Sequence, residues 1–112
     1  MYGLLQEEIE QIKHVLGQYP EVKKAVLYGS RAKGNYHPGS DIDLTLFGQK
    51  LTTSKLLEIE NELDDLLLPF KMDLSIYQHI NNPDLLDHVQ RVGQLFYENI
   101  QKQGVASERG SE

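Results

Sequence analysis

An apolar run that stops abruptly at a Gly-Ser pair constrains the fold more than any other feature of this chain. Residues 25–28 (Ala-Val-Leu-Tyr) are followed at once by Gly29 and Ser30. This pattern is typical of a buried strand that ends in a tight turn, where glycine lets the main chain approach a ligand closely. Arg31 and Lys33 add two cations, and free backbone N–H groups at a helix start favour phosphate. We therefore predict that Gly29, Ser30, Arg31 and Lys33 bind the phosphates of a ligand.

Two aspartates, one residue apart, follow this turn after ten intervening residues. Asp41 and Asp43 lie in a stretch that alternates polar and apolar residues, which predicts a strand with both carboxylates on the same face. Neighbouring carboxylates repel unless a cation lies between them, and a hard ion such as Mg²⁺ prefers oxygen ligands. Either half of the pattern alone is more often an ordinary turn or a solvated strand edge. Together they indicate a phosphate-binding turn that faces a metal site.

A third aspartate lies in the middle of the most regular strand pattern in the chain. Met72, Leu74 and Ile76 alternate with polar residues, and Asp73 falls on the polar side. Taken alone, this pattern indicates a half-exposed strand with one unpaired acid. Because two other carboxylates are predicted on a preceding strand, we expect Asp73 to join them as a third metal ligand.

Three segments with helical spacing accompany the predicted strands. Their apolar positions are Leu5, Ile9, Ile12 and Leu16 in the first, Leu56, Ile59, Leu63 and Leu66 in the second, and Leu85, Val89, Val92, Phe96 and Ile100 in the last. The order helix, strand, turn, strand, helix, strand, helix predicts an α/β (α+β) fold: a small mixed sheet with helices on one face and the other face open for a ligand. We expect one domain over residues 1–103 and a flexible tail over residues 104–112.

The composition argues against several classes of function. The formal net charge of −6 disfavours a protein that follows a nucleic-acid template, since such binding depends on many lysine and arginine contacts to phosphate. The absence of cysteine excludes disulfides and thiolate metal sites, and the four histidines share no metal-ligand spacing. No apolar run is long enough to span a bilayer and no signal-peptide pattern is present, so we expect a cytoplasmic protein without a membrane partner.

The Gly29-Ser30 pair and the Asp41-x-Asp43 motif at this spacing resemble the signature of the nucleotidyltransferase superfamily, which includes DNA polymerase beta and kanamycin nucleotidyltransferase. The resemblance implies that Asp41, Asp43 and Asp73 are the catalytic carboxylates and hold two Mg²⁺ ions. It also implies that Gly29 and Ser30 hold the outer phosphates of ATP. Two divalent ions held in this way would stabilise charge on both the attacking and the leaving oxygens.

The short length makes the chain similar to the minimal nucleotidyltransferases, which typically occur with a separate helical HEPN-domain protein. In that group the nucleotidyltransferase is frequently the antitoxin and silences the HEPN ribonuclease by transferring AMP from ATP to a tyrosine. The resemblance therefore implies ATP as substrate and a HEPN toxin as partner. Two alternatives stay open: a small-molecule nucleotidyltransferase that needs a partner domain, and a module that neutralises a toxin by binding alone.

Overall fold

Four strands form one mixed sheet in the computed structural model, which describes residues 1–99. The strands are β1 (Lys24–Tyr28), β2 (Ile42–Phe47), β3 (Met72–Ile76) and β4 (Gln94–Glu98), and their order in the sheet is β3-β2-β1-β4. The helices are α1 (Gln6–Gly17), α2 (Gly29–Lys33), α3 (Thr53–Asp64) and α4 (Pro83–Val92), with a 3₁₀ turn at Tyr77–His79. Strand β1 is antiparallel to β2 and β4, whereas β2 and β3 are parallel. The predicted mixed sheet is confirmed.

The core lies between one face of the sheet and the helices α1 and α3. Its fully buried side chains include Ile12 and Leu16 from α1, Ile59 from α3, and Leu44 and Leu46 from β2. These residues occupy the apolar positions of the predicted helical and alternating patterns. Because alternate residues of a strand point to opposite faces, burial of this apolar set directs the polar set of β2 and β3 to the other face.

The register of the strands aligns three site residues in one row across the sheet. Tyr28 at the end of β1 is opposite Asp43 of β2, and Asp43 is opposite Asp73 of β3. Residues directly opposite each other in neighbouring strands project from the same face. The second and third predicted acids are therefore neighbours on the sheet face that does not carry the main core.

The predicted last helix is wrong beyond Val92, because the chain there forms a fourth strand that the predicted order lacked. The Gly93 N–H donates to the Val89 carbonyl and ends α4. A β-carbon at Gly93 would lie 2.7 Å from Val26 Cγ1, so only glycine allows this approach to the sheet. Phe96, predicted on the helix, is buried in β4. The Ile100 position and the predicted tail, residues 104–112, lie outside the described residues.

Helix α4 covers part of the face that was expected to be open. Val26 and Tyr28 of β1 point to the face opposite the main core, and α4 packs against them through Gly93 and His88. The polar face is consequently bounded by α4 on the β1 side and is accessible at Asp43 and Asp73, whereas Thr45 of β2 is buried. Within residues 1–99, no helix has the length and apolar character needed to cross a bilayer.

Candidate active site

The turn after β1 brings the main chain against a carboxylate. Gly29 begins α2 with φ = 76°, a left-handed conformation that side chains disfavour. A β-carbon built at this position would overlap the Asp43 carboxylate and would lie only 3.2 Å from the Cγ of Asp43. Glycine is thus required here both by its backbone conformation and by the close approach of Asp43. The predicted juxtaposition of the Gly-Ser turn with the Asp-x-Asp strand is present in the structure.

The three carboxylates differ in burial and influence one another. Asp43 is half-buried, while Asp41 and Asp73 are exposed. The pKa of Asp43 lies above its ordinary value, first because the carboxyl group is partly buried and then because the Asp73 and Asp41 carboxylates repel its negative charge. Burial also raises the pKa of the neighbouring Tyr28 hydroxyl, and the charges of Asp43 and Asp73 add to this effect. Ionised Asp43 therefore carries an electrostatic cost that a bound cation would remove.

The acidic group fits Mg²⁺ in its chemistry, although the side chains are not already gathered around a metal position. Across residues 1–99, no set of three or more His, Cys, Asp or Glu side chains is close enough to hold a metal ion as it stands. The donors are nevertheless all carboxylate oxygens, which Mg²⁺ prefers, and the charges of Asp73 and Asp41 contribute, after burial, to the raised pKa of Asp43. A metal ion would have to draw Asp41, Asp43 and Asp73 together.

Arg31 is not placed as the predicted phosphate ligand, because its guanidinium group is buried among backbone carbonyls. The side chain is only 2% exposed. Its Nε and Nη2 donate to the Ser40 carbonyl at 3.1 and 2.8 Å, and its Nη1 donates to the Tyr2 carbonyl at 2.8 Å. Arg31 therefore holds the chain in position just before Asp41. Lys33, on the same short helix, is exposed.

Ser30 lies partly exposed at the start of α2. Its carbonyl accepts a hydrogen bond from the Gly34 N–H, which closes the single turn of α2. The bond that closes the turn therefore involves the backbone of Ser30 and not its hydroxyl. Ser30 stays a predicted phosphate ligand, and its position directly after Gly29 places it at the carboxylate row.

His88 is a site residue that the sequence did not identify. Its Nε2 accepts a hydrogen bond from the Gly29 N–H at 3.0 Å, and its ring meets the Tyr28 ring edge-on with centroids 6.0 Å apart. The predicted use of the Gly29 N–H for phosphate would require this bond to break. The histidine is 59 residues from Gly29 in the chain, so no local pattern could have indicated the contact.

Comparison with known proteins gives consistent similarities over most of the chain. A family model described as "Polymerase beta, Nucleotidyltransferase" matches residues 10–102. Two curated proteins of Methanocaldococcus jannaschii, both provisionally named protein adenylyltransferases, are each 34% identical over 80 residues, which cover 70% of this chain and 81% of either relative.

Solved structures share the same fold at lower identity. A crystal structure described as a toxin–antitoxin with AMP-PNP has a TM-score of 0.65 and 22% identity, covering 88% of this chain and 77% of that chain. A structure described as a tri-AMPylated Shewanella oneidensis HEPN toxin in complex with an MNT antitoxin has a TM-score of 0.63 and 20% identity, covering 88% and 76%. The four-stranded sheet and its helices are thus the fold of these proteins.

Proposed function

The chain belongs to the polymerase beta family of nucleotidyltransferases, and from that premise we propose that it transfers AMP from ATP to a tyrosine hydroxyl of a HEPN-domain toxin. The observation that carries this proposal is the approach of Gly29 to Asp43 in the same row as Asp73. Support for a protein acceptor comes from the provisional names of the curated relatives. Support for a toxin comes from the structural neighbours described as toxin–antitoxin complexes.

In the proposed reaction, the tyrosine oxygen forms a bond to the α-phosphorus while the bond from that phosphorus to the bridging oxygen breaks. Pyrophosphate leaves, and the hydroxyl proton passes to Asp73 or to water. Two Mg²⁺ ions held by the carboxylates would supply positive charge to the attacking and leaving oxygens. Asp41 and Asp43 would contribute ligands to both ions, and Asp73 would complete the set on the attacking side.

The turn would bind the triphosphate rather than take part in proton transfer. The Ser30 hydroxyl would donate to an outer phosphate, and Gly29 would keep the space beside Asp43 free of a side chain. Lys33 is exposed at the end of α2 and would supply a cation at the edge of the site. Arg31 would act indirectly, by fixing the Ser40 carbonyl next to Asp41. ATP and Mg²⁺ are both cytoplasmic, and we assign the protein to that compartment.

The experiment combines the purified protein with a purified HEPN-domain toxin, ATP and Mg²⁺. We expect mass spectrometry to find AMP on a tyrosine of the HEPN protein. Asp43→Asn should abolish the adduct without preventing association of the two proteins. Asp64→Asn, which removes an exposed acid of α3, is the matched control and should leave the adduct intact.

A stable complex with no adduct in the wild type would contradict the proposal. That result would favour neutralisation by contact alone. Transfer of AMP to an aminoglycoside-like small molecule in a parallel assay, with none to the protein, would instead indicate the small-molecule alternative.

A further inference from the structure

The contact between α4 and the nucleotide-binding turn has a role beyond packing. We propose that His88 is a positioning residue whose neutral imidazole holds Gly29 in the conformation that lets a triphosphate reach Asp43. This inference rests on the proposed nucleotidyl transfer and names a residue that the reaction uses indirectly. His88 contacts neither the acceptor nor the phosphates; it acts through the Gly29 N–H.

The turn needs support because α2 has little stability of its own. The helix comprises only Gly29–Lys33, and the Gly34 N–H donates to the Ser30 carbonyl at its C-terminal end. A helix of one turn is strongly unfavourable in isolation because fixing its backbone is repaid by one hydrogen bond. Gly29 also has φ = 76°, one of several conformations that a glycine samples freely. External contacts must therefore select the observed turn.

Two such contacts flank α2 on opposite sides. Arg31 ties the downstream side to the Ser40 and Tyr2 carbonyls. On the upstream side, His88 provides the hydrogen bond to Gly29. Losing the His88 bond would free the residue that packs directly against Asp43, while Arg31 would still hold the chain before Asp41.

Helix α4 holds His88 rigidly enough for this role. Asn82 caps the helix, its side-chain oxygen accepting from the Asp84 N–H at 2.9 Å. The adjacent Val89 is buried, and Gly93 brings the end of the helix against Val26 of β1. The His88 ring is further oriented by its edge-on contact with Tyr28. Its position is thus set by packing on both sides of the helix.

The hydrogen bond also specifies the state of the ring. Because Nε2 accepts the Gly29 N–H, the ring proton must be on Nδ1 and the imidazole must be neutral. Long-range ¹H–¹⁵N correlation spectra of the free wild-type protein report this tautomer directly. We expect Nε2 to be unprotonated and the Gly29 amide to be protected from hydrogen exchange. A ring protonated on Nε2, or a freely exchanging Gly29 amide, would overturn the proposal without any variant being made.

Two substitutions separate the hydrogen bond from the ring packing. His88→Phe keeps a ring against Tyr28 but removes the acceptor, whereas His88→Gln keeps an acceptor and removes the ring. Loss of one hydrogen bond that selects the turn should raise the KM for ATP by about five- to tenfold in His88→Phe, with kcat within about twofold of wild type. His88→Gln should restore the KM to within about threefold of wild type. His79→Gln, an exposed histidine outside the site, is the control.

The outcomes distinguish this proposal from failure of the proposed reaction. If His88→Phe leaves the affinity for ATP unchanged or strengthens it, His88 does not position the turn, and a tighter complex would mean that it competes with phosphate. If His88→Gln is as impaired as His88→Phe, the acceptor is not what matters and the proposal is wrong. Should the wild type transfer no AMP, the dissociation constant for Mg-ATP measured by calorimetry replaces KM, and His88 is still tested.

Discussion

The turn and the carboxylates, the two halves of this site, are held in opposite ways. The turn is fixed by hydrogen bonds from distant parts of the chain, namely from Gly29 to His88 and from Arg31 to the Ser40 carbonyl. The carboxylates have no comparable support: none of the ion pairs formed within residues 1–99 includes Asp41, Asp43 or Asp73. The turn is therefore organised before any ligand binds, and the carboxylates are not.

This difference follows from the charge of the groups involved. Backbone N–H and carbonyl groups can be satisfied by hydrogen bonds inside the protein, so the turn needs no ligand to satisfy them. Three neighbouring acids instead repel one another, and after partial burial the charges of Asp73 and Asp41 raise the pKa of Asp43. The natural partner of such a group is a cation from solution. We conclude that the fold fixes the backbone of the turn, whereas no ion pair within residues 1–99 neutralises the three carboxylates.

The largest expected effect comes from removing the central carboxylate. Asp43→Asn should lower nucleotidyl transfer by about a thousandfold, or roughly 4 kcal/mol in the activation barrier, because it removes the central carboxylate of the proposed metal site. The fold should survive, since the amide is the same size as the acid. Steady-state rates with a HEPN acceptor measure the loss, with Asp64→Asn as control. Activity within tenfold of wild type would place the metal elsewhere.

The next largest expected effect tests whether Arg31 stabilises the turn. Arg31→Met should lower the free energy of unfolding by about 3 kcal/mol, because it leaves the Ser40 and Tyr2 carbonyls without their buried donor. Lys33→Met changes the same charge two residues away at an exposed position and should cost less than about 0.5 kcal/mol. Urea denaturation of both variants provides the measurement. Equal stability would mean that Arg31 does not hold the loop.

The sequence predicted those parts of this comparison that depend on local pattern. Alternation located β2 and β3 and placed Asp43 and Asp73 on one face, and the need for glycine at position 29 follows from the turn. These features depend on the two-residue period of a strand and on one backbone angle. Both are visible in a few consecutive residues.

The features that the sequence did not predict depend on contacts between residues that are distant in the chain. The burial of Arg31 requires carbonyls supplied by Tyr2 and by the loop before Asp41. The strand at Phe96 was assigned to a helix because its apolar residues fit helical spacing, and pairing with β1 decided against it. Gly93 was the local signal for that boundary, since it interrupts the pattern where α4 ends.

A smaller effect is expected at Ser30, the proposed phosphate ligand. Ser30→Ala should weaken the use of ATP by about 1–2 kcal/mol, the scale of a hydrogen bond to a charged group, and should leave the melting temperature unchanged. Stability is unaffected because the turn is closed by the Ser30 carbonyl and not by its hydroxyl. KM for ATP and thermal unfolding are the two measurements. Unchanged KM would remove Ser30 from the phosphate contacts.

The smallest effect concerns pH and stability without metal. The pKa of Asp43 is raised in the folded state, so its contribution to stability is present below its unfolded pKa and is lost as pH rises through the folded value. As the pH rises from about 4 to neutrality, the wild type should therefore lose stability relative to Asp43→Asn, measured as the difference between their free energies of unfolding. Solvent screening keeps the difference below about 1 kcal/mol. A difference in stability between variant and wild type that stays the same at both pH values would contradict the raised pKa of Asp43.

The most direct measurement of the central claim is a calorimetric titration of ATP into the protein with Mg²⁺ and then with a chelator. We predict that the wild type binds ATP much more tightly with Mg²⁺, because the turn is already formed in the free protein and the carboxylates require the cation. We also predict that Asp43→Asn loses the gain from Mg²⁺ while keeping the weak metal-free binding of the turn. Equal affinity of the wild type in Mg²⁺ and in chelator would contradict the account.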